Sequence, residues 1–201
     1  QLDAPAIPTI LYALILPGPY TIKNYHCDVT GVLTNTVPTD AYRGAGRPEA
    51  TYVIERVMDL VAREIGIDPA EVRLSNVVQA EDFPHTSVPG LTYDSGNYEP
   101  NLDKALRNVG YQELRAEQQR LRQVGRFLGI GIACYIEMCG FGPYESAAVR
   151  VEPSGAVTIM TGISPHGQGQ ETTFAQIVAD ELGVDFDSIQ VRHGDTHNTP
   201  S

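Results

Sequence analysis

The chain has 201 residues, 42% of them hydrophobic and 19% charged, which are globular values with length for one or two domains. A formal net charge of −11 argues against nucleic acid as a partner, because a phosphate backbone needs a basic face to neutralise it. The longest apolar run, 7–16, contains Pro8 and Thr9, is too short to span a bilayer and lacks the basic flank of a secretory leader.

In chain order, residues 7–16 read as an apolar strand closed by Pro17-Gly18-Pro19, and residues 20–35 alternate loosely in a β manner. Residues 41–50, AYRGAGRPEA, form a glycine-rich loop that runs into a helix. Gly44 and Gly46 permit a tight turn, and Pro48 suits a first helical turn. An apolar stripe follows through Ala50, Val53, Ile54, Val57, Met58, Val61 and Ile65, and Gly66 ends it. The N–H groups at such a helix start, beside Arg43 and Arg47, suit an anion or a polarised oxygen. The plainer alternative is a tight turn whose arginines bind carboxylates elsewhere in the fold.

Asp68-Pro69-Ala70-Glu71 reads as a capping box for a short helix ending near Asn76. Residues 79–100 read as a long loop. Asn101 caps a helix through Val109, Gly110 breaks it, and a charged amphipathic helix carrying Leu114, Leu121 and Val124 follows. Residues 127–138, FLGIGIACYIEM, read as a buried strand; 147–152 and 156–163 as a hairpin; 172–182 as a helix; and 189–193 as a strand. No internal repeat is visible, and the elements do not alternate as strict βαβ units, so the expected class is α+β with a boundary near Val124–Phe127.

Gly167-Gln168-Gly169 repeats the physics of the first loop, with a strand before it and a helix after it. Here Gln168 adds a neutral amide with two donors and an acceptor. Cys134, Cys139 and His166 match no common zinc spacing, and the thiols read as core groups. Three cysteines (Cys27, Cys134 and Cys139) cannot all pair, which points to a reducing cytoplasm. His26, His85, His193 and His197 stand singly among loops and strand ends, with no neighbouring acid in a catalytic spacing, and read as surface or structural groups. Glu137, an acid within an apolar run, is either desolvated or paired with an arginine. Phe141 is a packing residue or an aromatic pocket wall.

Residues 37–76 and the stretch His166-Gly167-Gln168-Gly169-Gln170-Glu171-Thr172 with Gly194-Asp195-Thr196 resemble the molybdenum-binding large subunit of the xanthine dehydrogenase and aldehyde oxidase family. The bacterial members similar to aerobic carbon monoxide dehydrogenase are the nearest in wording. The resemblance covers essentially the whole chain. It implies residues 1–124 as the end of a first molybdopterin-binding domain and 125–201 as the start of a second. Since the family's subunit is several times longer, with Gln1 in place of an initiator methionine and Ser201 in a turn-rich run, a middle piece is expected.

The implied cofactor is molybdopterin with molybdenum, with or without a cytosine dinucleotide tail. The family's pattern places Gln168, between Gly167 and Gly169, against that cofactor, and the backbone amide of Arg43 against the metal's oxygen ligands. Gly44 stands where carbon monoxide dehydrogenases carry a copper-bridging cysteine, and Ala45 where xanthine oxidases carry a pocket phenylalanine. Ala45 and Phe141 are therefore the candidate pocket residues. The expected reaction is hydroxylation of an aldehyde or N-heteroaromatic with water as oxygen source. The family's catalytic glutamate lies beyond Ser201, so no catalytic residue or metal ligand is assigned here, and the isolated chain is expected to be inactive and without stoichiometric molybdenum. The implied partners are an iron–sulfur subunit and an FAD subunit in a homo-oligomeric complex. Two alternatives are a stand-alone module binding a phosphate or nucleotide ligand through its glycine loops, and a purely structural piece.

Overall fold

The computed structural model describes residues 7–37, 40–138 and 145–200. The chain divides into two compact units, Gln1–Glu137 and Met138–Ser201. In the first, α1 (Ile7–Ile15) leads through a long irregular segment to α2 (Arg47–Ile65), which is followed by the short α3 (Pro69–Leu74). A two-residue-per-strand hairpin, β1 (His85–Thr86) with β2 (Thr92–Tyr93), then precedes α4 (Tyr98–Val109) and α5 (Tyr111–Gln123).

Three β expectations fail in this unit. The run read as a strand at 7–16 is a helix, with Leu11 and Ile15 buried four residues apart. A continuous apolar run has no period to separate the two states, and Pro8 in the first turn costs no hydrogen bond. Residues 20–35 form no strand; the one ladder contact is a Tyr20–Val77 bridge, and Leu33 is 91% exposed. Residues 127–138 are extended and alternate between half-buried and exposed, but they are neither buried nor in a sheet. Phe127 is 81% exposed. This segment bonds to side chains instead of a neighbouring strand: Ile132 C=O accepts from Arg73 at 3.1 Å, and Cys134 N–H donates to Glu55 at 2.9 Å. Those contacts keep residues 130–137 in the first unit, past the change in composition at 124–127.

The helices follow their sequence signals more closely. Ala50, Ile54, Met58 and Ala62, each four residues on, form the buried face of α2. The outer half of the expected stripe, Val57, Val61 and Ile65, lies exposed. Asp68 caps α3 by accepting from Ala70 N–H at 2.8 Å. The start of α4 lies at Tyr98, one residue after its Asn97 cap and ahead of the expected Asn101. Tyr20, Ile54, Met58, Ala62, Val72 and Val77 make the core, with Cys134 packed against it. Burial, then the charge of Glu55, pushes the Cys134 thiol up to about 11, so it is a protonated core group, as its apolar setting suggested.

In the second unit β3 (Ala147–Val151) pairs antiparallel with β4 (Val157–Thr161), which pairs parallel with β5 (Ile189–Arg192). The crossover between β4 and β5 carries α6 (Gln170–Leu182). Central β4 alternates as a half-covered strand should, with Val157, Ile159 and Thr161 buried. The whole is a mixed helix-and-strand fold, as the α+β reading expected.

Candidate functional site

The first glycine loop is held by its own backbone. Ala45 N–H donates to Tyr42 C=O at 2.6 Å, and Gly44 C=O accepts both Arg47 N–H at 3.0 Å and Arg47 Nε at 2.7 Å. Three successive residues take positive φ: Gly44 at 100°, Ala45 at 45° and Gly46 at 89°. For Ala45 this left-handed conformation costs on the order of 1–2 kcal/mol, the kind of strain that surrounding packing must hold. Packing also dictates the glycines. A Cβ on Gly44 would lie 2.5 Å from Pro48 Cγ, and one on Gly46 would overlap the Pro8 carbonyl oxygen. Gly46 caps α2 without a side-chain hydrogen bond, and Arg47 pairs with Glu137. Of the two fates open to Glu137, pairing is the one realised. Arg43 is exposed at the head of the loop, with Gly44 and Ala45 half-buried.

The second loop is looser. Gly167 at φ 99° and Gly169 at φ 79° flank Gln168, whose Oε1 accepts from His166 N–H at 2.5 Å. Gly169 caps α6 without a side-chain hydrogen bond, and a Cβ built on it meets nothing within 4 Å. Beside this opening, Gln170 Oε1 is buried with no hydrogen-bond partner among the described residues. A buried amide oxygen without a donor costs about 1–3 kcal/mol, so the arrangement leaves an acceptor for a group from outside the described chain. Glu171, in the first turn of α6, reaches His193 at 2.6 Å. The partner is 22 residues away in sequence, so spacing along the chain could not show the pair. His26 lies 3.1 Å from Asp28. Asp195 accepts from Asn198 Nδ2 and from His197 N–H, which holds its carboxyl below the ordinary value and organises the turn after β5.

Phe141 and Cys139 lie outside the described residues. Among the described residues no three acids, histidines or cysteines gather as a metal centre, and no helix is long and apolar enough to cross a membrane.

Sequence reading missed one further constellation, a buried polar network under α2. Arg73 donates from Nε to Glu55 Oε2 at 2.8 Å and from a terminal nitrogen to Asp59 at 2.9 Å, while Tyr20 O–H bonds the other Glu55 oxygen. Arg73 is 0% and Glu55 5% exposed. Burial first, then the bond to Glu55, holds the Tyr20 phenol far above its ordinary value, so it remains a donor. The available signal was an acid next to Ile54 on the buried face of α2 and an arginine next to Val72 in α3.

Molybdopterin cofactor-binding domain models match residues 3–77 and 104–201. The carbon monoxide dehydrogenase large chain of Hydrogenophaga pseudoflava is 40% identical over 202 residues, covering 92% of this chain and 25% of that protein. The 6-hydroxypseudooxynicotine dehydrogenase complex subunit gamma of Paenarthrobacter nicotinovorans is 39% identical, covering 92% of this chain and 24% of that protein. The structure of quinoline 2-oxidoreductase from Pseudomonas putida 86 matches with a TM-score of 0.84 at 32% identity, over 99% of this chain and 27% of that one. The chain thus spans about a quarter of the length of the relatives it matches. With domain models on both halves and relatives aligned along most of its length, the chain belongs to the molybdopterin-binding large-subunit family of the xanthine and carbon monoxide dehydrogenases.

Proposed function

We propose that the chain is part of a molybdenum hydroxylase large subunit and supplies two of the loops that hold its pterin cofactor. The observation that carries this reading is the buried, unpartnered Gln170 Oε1 beside an open glycine at an uncapped helix start. A pterin ring and its phosphate present both donors and acceptors, which neutral amides and backbone N–H groups match. Gln168 offers its carboxamide N–H while its oxygen stays on His166, and Gly167 and Gly169 keep the approach clear. Arg43 and Gly44 present backbone at the first loop, where Ala45 is the candidate pocket residue. The bound cofactor, with or without a cytosine dinucleotide tail, supplies the redox metal that takes an electron pair from substrate. An iron–sulfur subunit and an FAD subunit carry the electrons onward in a cytoplasmic homo-oligomeric complex.

The test is Gln168→Ala in the complete subunit, read as molybdenum and released pterin per chain. Loss of an amide contact worth about 1–3 kcal/mol lowers cofactor retention roughly fivefold to a hundredfold at unchanged circular dichroism. Cofactor content equal to that of the unmodified protein overturns the assignment.

Substrate class follows from what the first loop lacks. Gly44 has no sulfur for copper(I), which prefers soft donors, and the methyl of Ala45 offers no face to stack on a purine. The complete enzyme is expected to be reduced anaerobically by an aldehyde or an N-heteroaromatic and not by CO, followed through iron–sulfur and flavin absorbance. Bleaching by CO alone reverses this reading.

A further inference from the structure

A cleft of about 570 Å³ opens in the first unit between the C-terminal end of α2, the start of α3 and α5. Arg56, Arg63, Arg115 and Arg122 line it with Asp59 and Asp68, so its charged groups leave two positive charges over in a chain of net −11. Both acids are already engaged. Asp59 takes Arg73 at 2.9 Å and Arg56 at 3.0 Å, while Asp68 takes Arg115 at 3.1 Å, Tyr111 O–H at 2.9 Å and Ala70 N–H at 2.8 Å. The side chains of Arg63 and Arg122 have no ion-pair or hydrogen-bond partner among the described residues. A last-turn position explains a cation on either helix by itself, since each meets the negative end of its helix dipole. It does not explain why two uncommitted guanidinium groups from separate helices face one cleft.

We propose that this cleft is an anion site for a diphosphate, held by Arg63 and Arg122. A guanidinium presents a planar fork that bonds a phosphate through two parallel N–H groups, and two such forks with two uncompensated charges match a diphosphate better than a single carboxylate. Asp59 and Asp68 do not repel the ligand strongly, because their charge is spent on Arg73, Arg56 and Arg115. The cleft belongs to the first unit, whereas the glycine loop before α6 belongs to the second and offers neutral amides and backbone.

The experiment is calorimetric titration of the protein with inorganic pyrophosphate, and with a nucleoside diphosphate in a parallel arm. Saturable binding is expected that weakens as salt rises, and that falls roughly tenfold or more in the double variant Arg63→Gln with Arg122→Gln. Both arginines lie without partners at helix ends, so the variant keeps its fold, which circular dichroism verifies. Tighter binding of the nucleotide than of pyrophosphate assigns the diphosphate to a nucleotide; equal or weaker binding assigns it to the free ion. No saturable heat from either ligand, or equal affinity in the double variant, overturns the proposal.

Discussion

Arg73→Met is expected to destabilise the first unit by about 3–5 kcal/mol, the cost of leaving one member of a buried ion pair without its partner. The residue it strands is Glu55, which is 5% exposed and also accepts from Tyr20 O–H and Cys134 N–H. Arg73 further ties α3 to the extended segment through Ile132 C=O, so its removal releases contacts on three parts of the chain at once. The measurement is urea unfolding at neutral pH, with the midpoint lowered at an unchanged slope. Arg73→Met combined with Glu55→Leu should cost less than the two single losses added together, because neither charge is then left alone. A loss below about 1 kcal/mol for Arg73→Met, the scale of an exposed pair, would show that this network contributes little to holding the unit together.

Gly46→Ala should cost about 2–5 kcal/mol, the left-handed backbone penalty together with overpacking. Its φ of 89° disfavours any side chain, and the new methyl would occupy the space of the Pro8 carbonyl oxygen. Gly66→Ala is the internal control. Gly66 also has a positive φ, 71°, yet a Cβ there meets nothing within 4 Å, so only the backbone penalty of about 1–2 kcal/mol applies. The difference between the two thermal midpoints measures the clash of the first loop with α1. Equal losses in the two variants would show that the loop shifts freely, and that its shape at the start of α2 is not fixed by Pro8.

The two loops were legible in the sequence because glycine and proline act through the backbone, and local backbone preferences need no tertiary partner. The same holds for the Asp68 cap, the hairpin at 152–156 and the glycines after α2, α4 and α6, all of which the structure contains. The family wording at residues 37–76 and 166–172 was equally available, since a motif is a local string.

Tertiary structure decided what the apolar runs became. Residues 7–16 and 127–138 carry similar composition, yet one is a helix against α2 and the other an extended segment without a ladder partner among the described residues. With Thr9 and Glu137 each near one end, neither run has polar residues spaced to set a period, so its state is set by which surface it meets. Burial of Glu55 and Arg73 was likewise outside local reach, because each charge is tolerable there only through a partner 18 residues away. So was the approach of His193 to Glu171, which exists because the parallel pairing of β4 and β5 returns the chain beside the start of α6.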